Sequence, residues 1–372
     1  MKQKKPLAIL CTVLLLAAMC TQTVFAANDD LRARSAAWLQ NPQNTEFDFT
    51  ETDYPNSIVD WTMFTLARDN REIPAEYPAY MEKTLDNAFS DLYPADFARL
   101  VLSATACGLD PRQIGAHDLL AALETVDYST QIYLSSLVYP LLAMDFCADF
   151  DFAQETRQTI VDAILRAQQP DGGWSYCSVD TGYGIVTDPD STAMALQALA
   201  PYRDQAAVQA AAERGFAYLK TQQGETGAVL SFGAPSGEST AQYILALCAW
   251  GKQPDSDAYA VNGISLPDAL CGFLNESGGA RNFQNAEDPL TTYQVLQALI
   301  AIDRLQNGKA DIFTYDKAET APTEKPTATT EPPEQSVTEP ADIPKTAGES
   351  LRFAAGLATV AAGFLLVRRK YA

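Results

Sequence analysis

Three stretches of the chain put carboxylates where they can act as a group. DPDSTAMALQAL (188–199) opens with Asp188 and Asp190, ESTAQYILALCAWG (238–251) with Glu238, and DPLTTYQVLQAL (288–299) with Asp288. Each begins a small-residue, apolar run with helical periodicity, so each acid stands at a helix N-terminus. A carboxylate there accepts hydrogen bonds from free backbone N–H groups and sits favourably in the helix dipole. Tyr183, Tyr243 and Tyr293 lie close by in sequence, and Trp174 precedes the first stretch. Gathered together, these acids and aromatic rings would line a cup able to hold a small molecule. No metal site is expected. His117 is the only histidine, which rules out a histidine-rich zinc site, and it starts a helical run (HDLLAALE) as a surface or cap residue. Of seven cysteines, five lie beyond the leader, widely spaced and without a CxxC pair, and Cys107, Cys147 and Cys248 read as buried small hydrophobes. A net charge of −21 offers no basic stripe for phosphates, so nucleic acid is excluded as a partner.

The elements that must position these groups are helices. From Asn28 to about Gln306 apolar residues recur at three and four positions, with turn signals every fifteen to twenty residues. The pattern predicts twelve helices, near 29–40, 57–70, 76–89, 95–108, 116–124, 129–146, 153–169, 190–202, 207–223, 239–251, 265–276 and 290–306. Two kinds alternate. Helices such as 153–169 and 207–223 are amphipathic and charged, whereas 129–146, 190–202 and 239–251 are apolar nearly all round and must be surrounded. Six amphipathic helices around six buried ones predict an all-α fold, an (α/α)6 toroid. The distance from Asp190 to Glu238 is 48 residues and from Glu238 to Asp288 it is 50, longer than a two-helix solenoid repeat and consistent with a closed ring. Pro55, Pro94, Pro189 and Pro289 mark starts of buried helices. In a toroid all inner helices begin at one rim, which places Asp190, Glu238 and Asp288 together there beside the three tyrosines.

The two ends carry addresses. Residues 1–26 read as a secretory signal, with Lys2, Lys4 and Lys5 ahead of the apolar Leu7–Met19 run and Val24-Phe25-Ala26 at the cleavage site. The toroid is expected over 27–308. A Pro/Thr/Glu-rich stalk, expected disordered, follows over 309–342, because such a composition cannot bury enough surface to fold. Residues 343–372 resemble a Gram-positive cell-wall sorting signal. Ile343, Pro344, Lys345, Thr346 and Ala347 stand in the LPxTG pattern, with Ile for Leu and Ala for Gly, followed by a hydrophobic segment (351–367) and Arg368-Arg369-Lys370. The resemblance implies sortase and peptidoglycan as partners. The alternative for the same segment is a single-span membrane anchor, although its apolar run is shorter than the roughly 20 residues a helical span needs. Either places the toroid at the cell surface.

Further resemblances rest on residues 154–303. RGFAYLKTQQGETG (214–227) resembles the QW repeat of squalene cyclases and related toroids through Arg214, Gly215, Tyr218, Leu219, Gln223 and Gly227. Ile164, Gln168, Gly172 and Trp174 match its second half, and LNESGGA (274–280) is a degenerate third copy. The segment 188–199 resembles the DxDD motif of class II terpene cyclases, with Ser191 in place of the last acid. That resemblance implies Asp190 as a general acid. Protein prenyltransferases share the superfamily, but their zinc ligands have no counterpart here. The closest overall resemblance is to secreted toroids of the transcobalamin and intrinsic-factor type, which implies a corrinoid-like ligand and no bound cofactor. The function expected is therefore non-catalytic binding of a small molecule or partner in the cup. A cyclase-like enzyme using Asp190 and a structural or adhesive module are the alternatives.

Overall fold

A computed structural model describes residues 28–147, 150, 152–180, 182 and 184–315. The leader, most of the stalk, the sorting motif with its hydrophobic segment, and Tyr183 lie outside the described residues. Among the described residues no helix is long and apolar enough to cross a membrane.

The helices are α1 (28–39), α2 (Pro42–Thr45), α3 (Ser57–Arg68), α4 (Tyr77–Ala88), α5 (Pro94–Ala106), α6 (Leu119–Glu124) and α7 (Ser135–Phe146), then α8 (Gln154–Ala167), α9 (Pro189–Leu199), α10 (Ala206–Thr221), α11 (Gly237–Ala249), α12 (Leu266–Cys271) and α13 (Pro289–Gln306). A two-residue hairpin, β1 (Leu230–Ser231) with β2 (Ala234–Pro235), precedes α11.

Helices α3, α5, α7, α9, α11 and α13 pack each against the next, and α13 returns to pack on α3. That contact closes the inner ring. The ring helices can be surrounded because they have no polar face. In α7, Leu137, Val138, Leu141, Leu142, Met144 and Phe146 are all buried. The outer helices bury one stripe only, such as Ile160, Val161, Ala163 and Ile164 of α8. α1 completes the outer layer between α13 and α3. Arg32 reaches both Asp303 (2.7 Å) and Asp69 (3.6 Å), and the Trp38 indole donates to Glu287 at 2.9 Å. The chain is thus an all-α, α/α toroid.

The repeated motifs have one structural job. The Gln168 amide donates to the carbonyls of Gly172 and Ala211, both at 2.8 Å, and Gln223 donates to those of Gly227 (3.0 Å) and Tyr259 (2.9 Å). Each glutamine closes its own turn and staples it to the next outer segment. A second device recurs three times. The backbone N–H groups of Trp174, Val229 and Ala280 donate to the hydroxyls of Thr192, Thr240 and Thr292, at 2.9, 3.0 and 2.9 Å. Each threonine in turn donates to the carbonyl of its own helix's N-cap residue, Asp188, Ser236 or Asp288.

Several boundaries differ from expectation. The helix expected over 129–146 starts only at Ser135, because Tyr133 pairs antiparallel with Cys177 and the chain on either side bonds across: Leu134 N–H to Tyr176 O at 2.9 Å, and Ser178 N–H to Ile132 O at 2.8 Å. Pro55 does not begin α3; Asn56 caps that helix through its side chain. The chain also remains packed beyond 308, where the stalk was expected to begin. Ile312 and Phe313 are buried, Phe313 stacks on Phe64 with centroids 5.3 Å apart, and the Arg68 guanidinium donates to Ile312 O (2.9 Å) and Thr314 O (3.0 Å). Residues 309–315 therefore plug the mouth of the ring at the C-terminal ends of the inner helices, hereafter the lower mouth.

Candidate functional site

The upper rim is built from the N-termini of the inner helices. Asp188 caps α9 by accepting from Ser191 N–H at 2.8 Å, and Asp288 caps α13 by accepting from Thr291 N–H at 2.8 Å. The corresponding cap of α11 is Ser236, not Glu238. The three caps set the true register: Asp188, Ser236 and Asp288 are equivalent, as are Pro189, Gly237 and Pro289, and then Asp190, Glu238 and Leu290. Asp190, Glu238 and Asp288 are therefore not three copies of one position. Asp190 and Glu238 are equivalent, and Asp288 is two residues earlier in its own helix.

The rim acids nevertheless meet. Glu238 Oε1 accepts from the Thr291 hydroxyl at 2.5 Å, and that hydroxyl lies 3.2 Å from Asp288 Oδ2, while Ser236 donates to Glu238 Oε2 at 2.9 Å. Asp190 stands on the neighbouring helix. Its Oδ1 has no hydrogen-bond partner among the described residues, and neither does the hydroxyl of the fully buried Ser239 with which it interacts. Burial first, then the nearby charges of Asp188 and Glu238, push the Asp190 carboxyl up to about 7, against the opposing pull of the Ser239 hydroxyl.

One turn below the rim, Met194, Gln242 and Gln294 succeed Asp190, Glu238 and Leu290 on the same helix faces. All six side chains keep partial solvent access, as does Tyr139 of α7. They outline a shallow cup about 6 Å deep, one helical turn. A side-chain amide relay crosses it: Gln197 donates to Gln242 at 2.9 Å, and Gln242 donates to Gln294 at 3.1 Å. The Tyr139 hydroxyl contacts the Met194 sulfur at 3.9 Å. From the level of Tyr139 downward the lumen is filled. The Trp61 and Tyr139 rings lie 5.2 Å apart across α5, and Phe64 and Phe146 lie 5.9 Å apart. Arg99 of α5 is buried beside them, paired with Asp60 (3.0 Å) and Asp96 (2.8 Å), and its Nη2 has no partner among the described residues.

Not every expected site residue lies here. Trp174 is 0% exposed, its indole donates to Ile164 O at 2.7 Å, and it packs against Gly215 of α10. It joins α8, α9 and α10 and does not line the cup. Tyr243 is also buried away from the cup, its ring edge-on to Tyr259 at 6.1 Å. The reason is the same register. Tyr243 aligns with Val295, two residues beyond Tyr293, and two residues turn a helix by about 200°. Tyr293 does belong to the cup floor. It is buried within electrostatic reach of Tyr139, Arg99 and Asp288. Tyr183 lies outside the described residues. The sequence reading missed Tyr139, Gln242, Gln294 and Arg99. Their signal was an isolated polar group in an otherwise apolar inner helix. Away from the cup, a groove of about 570 Å³ on the outer wall is lined by Phe89, Phe97, Val126 and His117, whose ring stacks on Phe89 and contacts Asp86 at 2.9 Å.

Searches against protein families and against the sequences of curated proteins find no match. Solved structures do show likeness. The ent-copalyl diphosphate synthase from Streptomyces platensis is 19% identical over 68% of this chain, with a TM-score of 0.43, and this chain spans about half (50%) of the synthase. The unsaturated glucuronyl hydrolase from Bacillus sp. GL1 is 13% identical over 72% of this chain and 90% of its own, with a TM-score of 0.49. A protein from Actinoplanes is 16% identical over 74% and 99%, with a TM-score of 0.42. The closed ring stands on the α13–α3 contact of this chain itself.

Proposed function

We propose that this protein is a surface-displayed binding toroid whose upper cup holds a small polar ligand without transforming it. The observation that carries this reading is the asymmetry of the ring. Asp190 and Met194, Glu238 and Gln242, and Leu290 and Gln294 stay open to solvent at the upper end, while residues 309–315 seal the lower one. The ring has one mouth, lined by carboxylates and amides. The amide relay presents both donors and acceptors, which suits a ligand rich in hydroxyl or amide groups. A long terpenoid would need a deep apolar chamber, and Trp61, Tyr139, Phe64 and Phe313 occupy that space. A corrinoid-like ligand could meet the cup only with one face or edge. In this proposal the leader exports the chain, and the terminal segment, through sortase and peptidoglycan or through a membrane span, holds it at the cell surface.

The test is native mass spectrometry of the full chain after incubation with a cell extract, and separately with cobalamin and polyprenyl compounds. A retained adduct is expected from the extract or from cobalamin. Changing Gln242→Leu together with Gln294→Leu should reduce it at least tenfold while leaving the unfolding temperature within a few degrees. No adduct from any source would sink the reading.

A second reading has one observation in its favour. The Asp190 carboxyl, partly open to solvent at the rim and pushed up to about 7 by burial and by Asp188 and Glu238, is placed to give a proton to something bound above it. Under that reading, a ligand recovered from the cup would be chemically altered by the native protein and unaltered by Asp190→Asn. Binding without alteration in both would dismiss it.

A further inference from the structure

The described residues of the segments leading into the inner helices, 40–56, 89–93, 125–134, 168–188, 222–236 and 272–288, together form the upper face around the cup. Exposed apolar side chains are concentrated there. Every segment supplies at least one: Tyr54, Tyr93, Tyr133, Ile185, Phe232 and Phe283, the last two 61% and 66% exposed. Among the described residues Ile264 is the one exposed large apolar side chain outside these segments. Isolated exposed apolar groups are ordinary, but a ring of them on one end of a molecule marks an interaction surface.

The charge of this face is equally lopsided. In sequence, the six segments hold thirteen acidic residues and one base, Arg281, and from the outer helices Arg34 reaches Glu276 O and Arg214 reaches the Gln168 side chain. The segments at the opposite end are mixed, with Arg71, Arg112, Arg203, Lys252 and Lys309 among their acids. At the centre of the acidic face, the Asp190 carboxyl and the hydroxyl of Ser239, a residue 0% exposed, interact with each other.

We infer that the upper face docks a cationic polypeptide segment, one in which Lys or Arg alternates with apolar side chains, on this crown of aromatic groups set among acids. The charge selects the occupant. A second copy of the chain would bring the same acidic face and be repelled, and so would a nucleic acid or an anionic lipid surface. A neutral polymer would gain hydrogen bonds from these carboxylates but none of the long-range attraction that a net acidic face offers a cation. A basic peptide gains steering from the acids, apolar contact with the crown, and cation–π contact with Tyr54, Tyr93 and Phe232. Such a partner would lie across the mouth of the cup, so cup ligand and partner would be bound in layers.

The test is fluorescence anisotropy of labelled peptides with the full chain. A repeating Lys-Phe-Gly peptide should bind at micromolar concentration, while Glu-Phe-Gly and Lys-Ser-Gly peptides should bind at least tenfold more weakly. Raising salt to about 0.5 M should weaken the first peptide at least tenfold. Phe232→Ser with Phe283→Ser, or Asp91→Asn with Glu276→Gln, should each reduce its affinity at least fivefold. The exposed positions Glu76→Gln and Asp257→Asn at the lower end should not. Equal binding of the Glu-Phe-Gly or Lys-Ser-Gly peptide overturns the inference, as does indifference to both rim pairs. A cup adduct seen in the mass spectrum without any peptide binding would overturn it and leave the cup reading standing.

Discussion

Asp190 carries the largest electrostatic tension on the rim. Its carboxyl is pushed up to about 7 by burial and by Asp188 and Glu238, so ionising it in the folded state is unfavourable. Because the folded pKa lies above the unfolded value of 3.8, the native state holds the extra proton between those values. Stability from this group is therefore full below about pH 4 and is lost as pH rises through about 7. Asp190→Asn, which cannot ionise, should be more stable than the native protein at pH 8 by about 1–3 kcal/mol and nearly equal to it at pH 3.5. Denaturant unfolding at the two pH values measures the difference, and a constant gap would mean that Asp190 is solvated. Trp174 shows the opposite case of a residue whose chemistry is fully consumed by the fold. Trp174→Phe should leave Ile164 O without its donor and cost about 1–3 kcal/mol, read from the same unfolding curves.

At the level of elements, the same turn is made three times and its glycines are not equivalent to ordinary ones. Gly172, Gly227 and Gly278 all have φ between +80° and +96°. A Cβ on Gly278 would also come 2.3 Å from Arg34 O of α1, a backbone atom that cannot step aside. Gly278→Ala should therefore cost more than 3 kcal/mol and loosen α1, whereas Gly251→Ala, at φ +66° with nothing within 4 Å, should cost about 1 kcal/mol. Thermal unfolding of both variants tests the contrast, and equal losses would show that α1 yields. These turns also explain what was legible in the sequence. Alternating amphipathic and wholly apolar helices, with Gln168, Gln223 and the glycines at fixed offsets, announce a double ring. Register was harder to read. Glu238 resembles Asp288 in chemistry, but a serine hydroxyl, Ser236, does the capping in the middle repeat, which hid the two-residue offset. That slip turned Tyr243 into the cup and left Gln242 and Gln294 unnoticed. The start of α7 was hidden for another reason: Ile132, Tyr133 and Leu134 keep helical periodicity, and only the pairing of Tyr133 with Cys177 holds the chain out of the helix before Ser135.

For the whole molecule, closure of the ring at one end is what gives it a direction. Phe313 touches Trp61 and Phe64, and Tyr315 touches Phe146, so the last described residues contribute to the core of helices about 170 to 250 positions earlier in the chain. Phe313→Ala should destabilise the fold by about 3 kcal/mol. Calorimetry of the full chain would show the loss, and an unchanged transition would mean that the plug packs loosely.

The plug also sits where mechanical load would arrive. When the chain beyond Tyr315 is pulled against the upper face, tension reaches the ring first through Phe313, the two Arg68 hydrogen bonds and the Arg304 contact to Ala310 O. These bonds span seven residues, 309–315, and would extend by about 25 Å when they let go. An optical-tweezers trace should therefore show a small early step before the ring unravels, absent in Phe313→Ala. A single all-or-none rip in both would show that the plug and the ring yield together. A small early step would make the lower mouth a force-sensitive valve, opened by pulling on the segment that seals it.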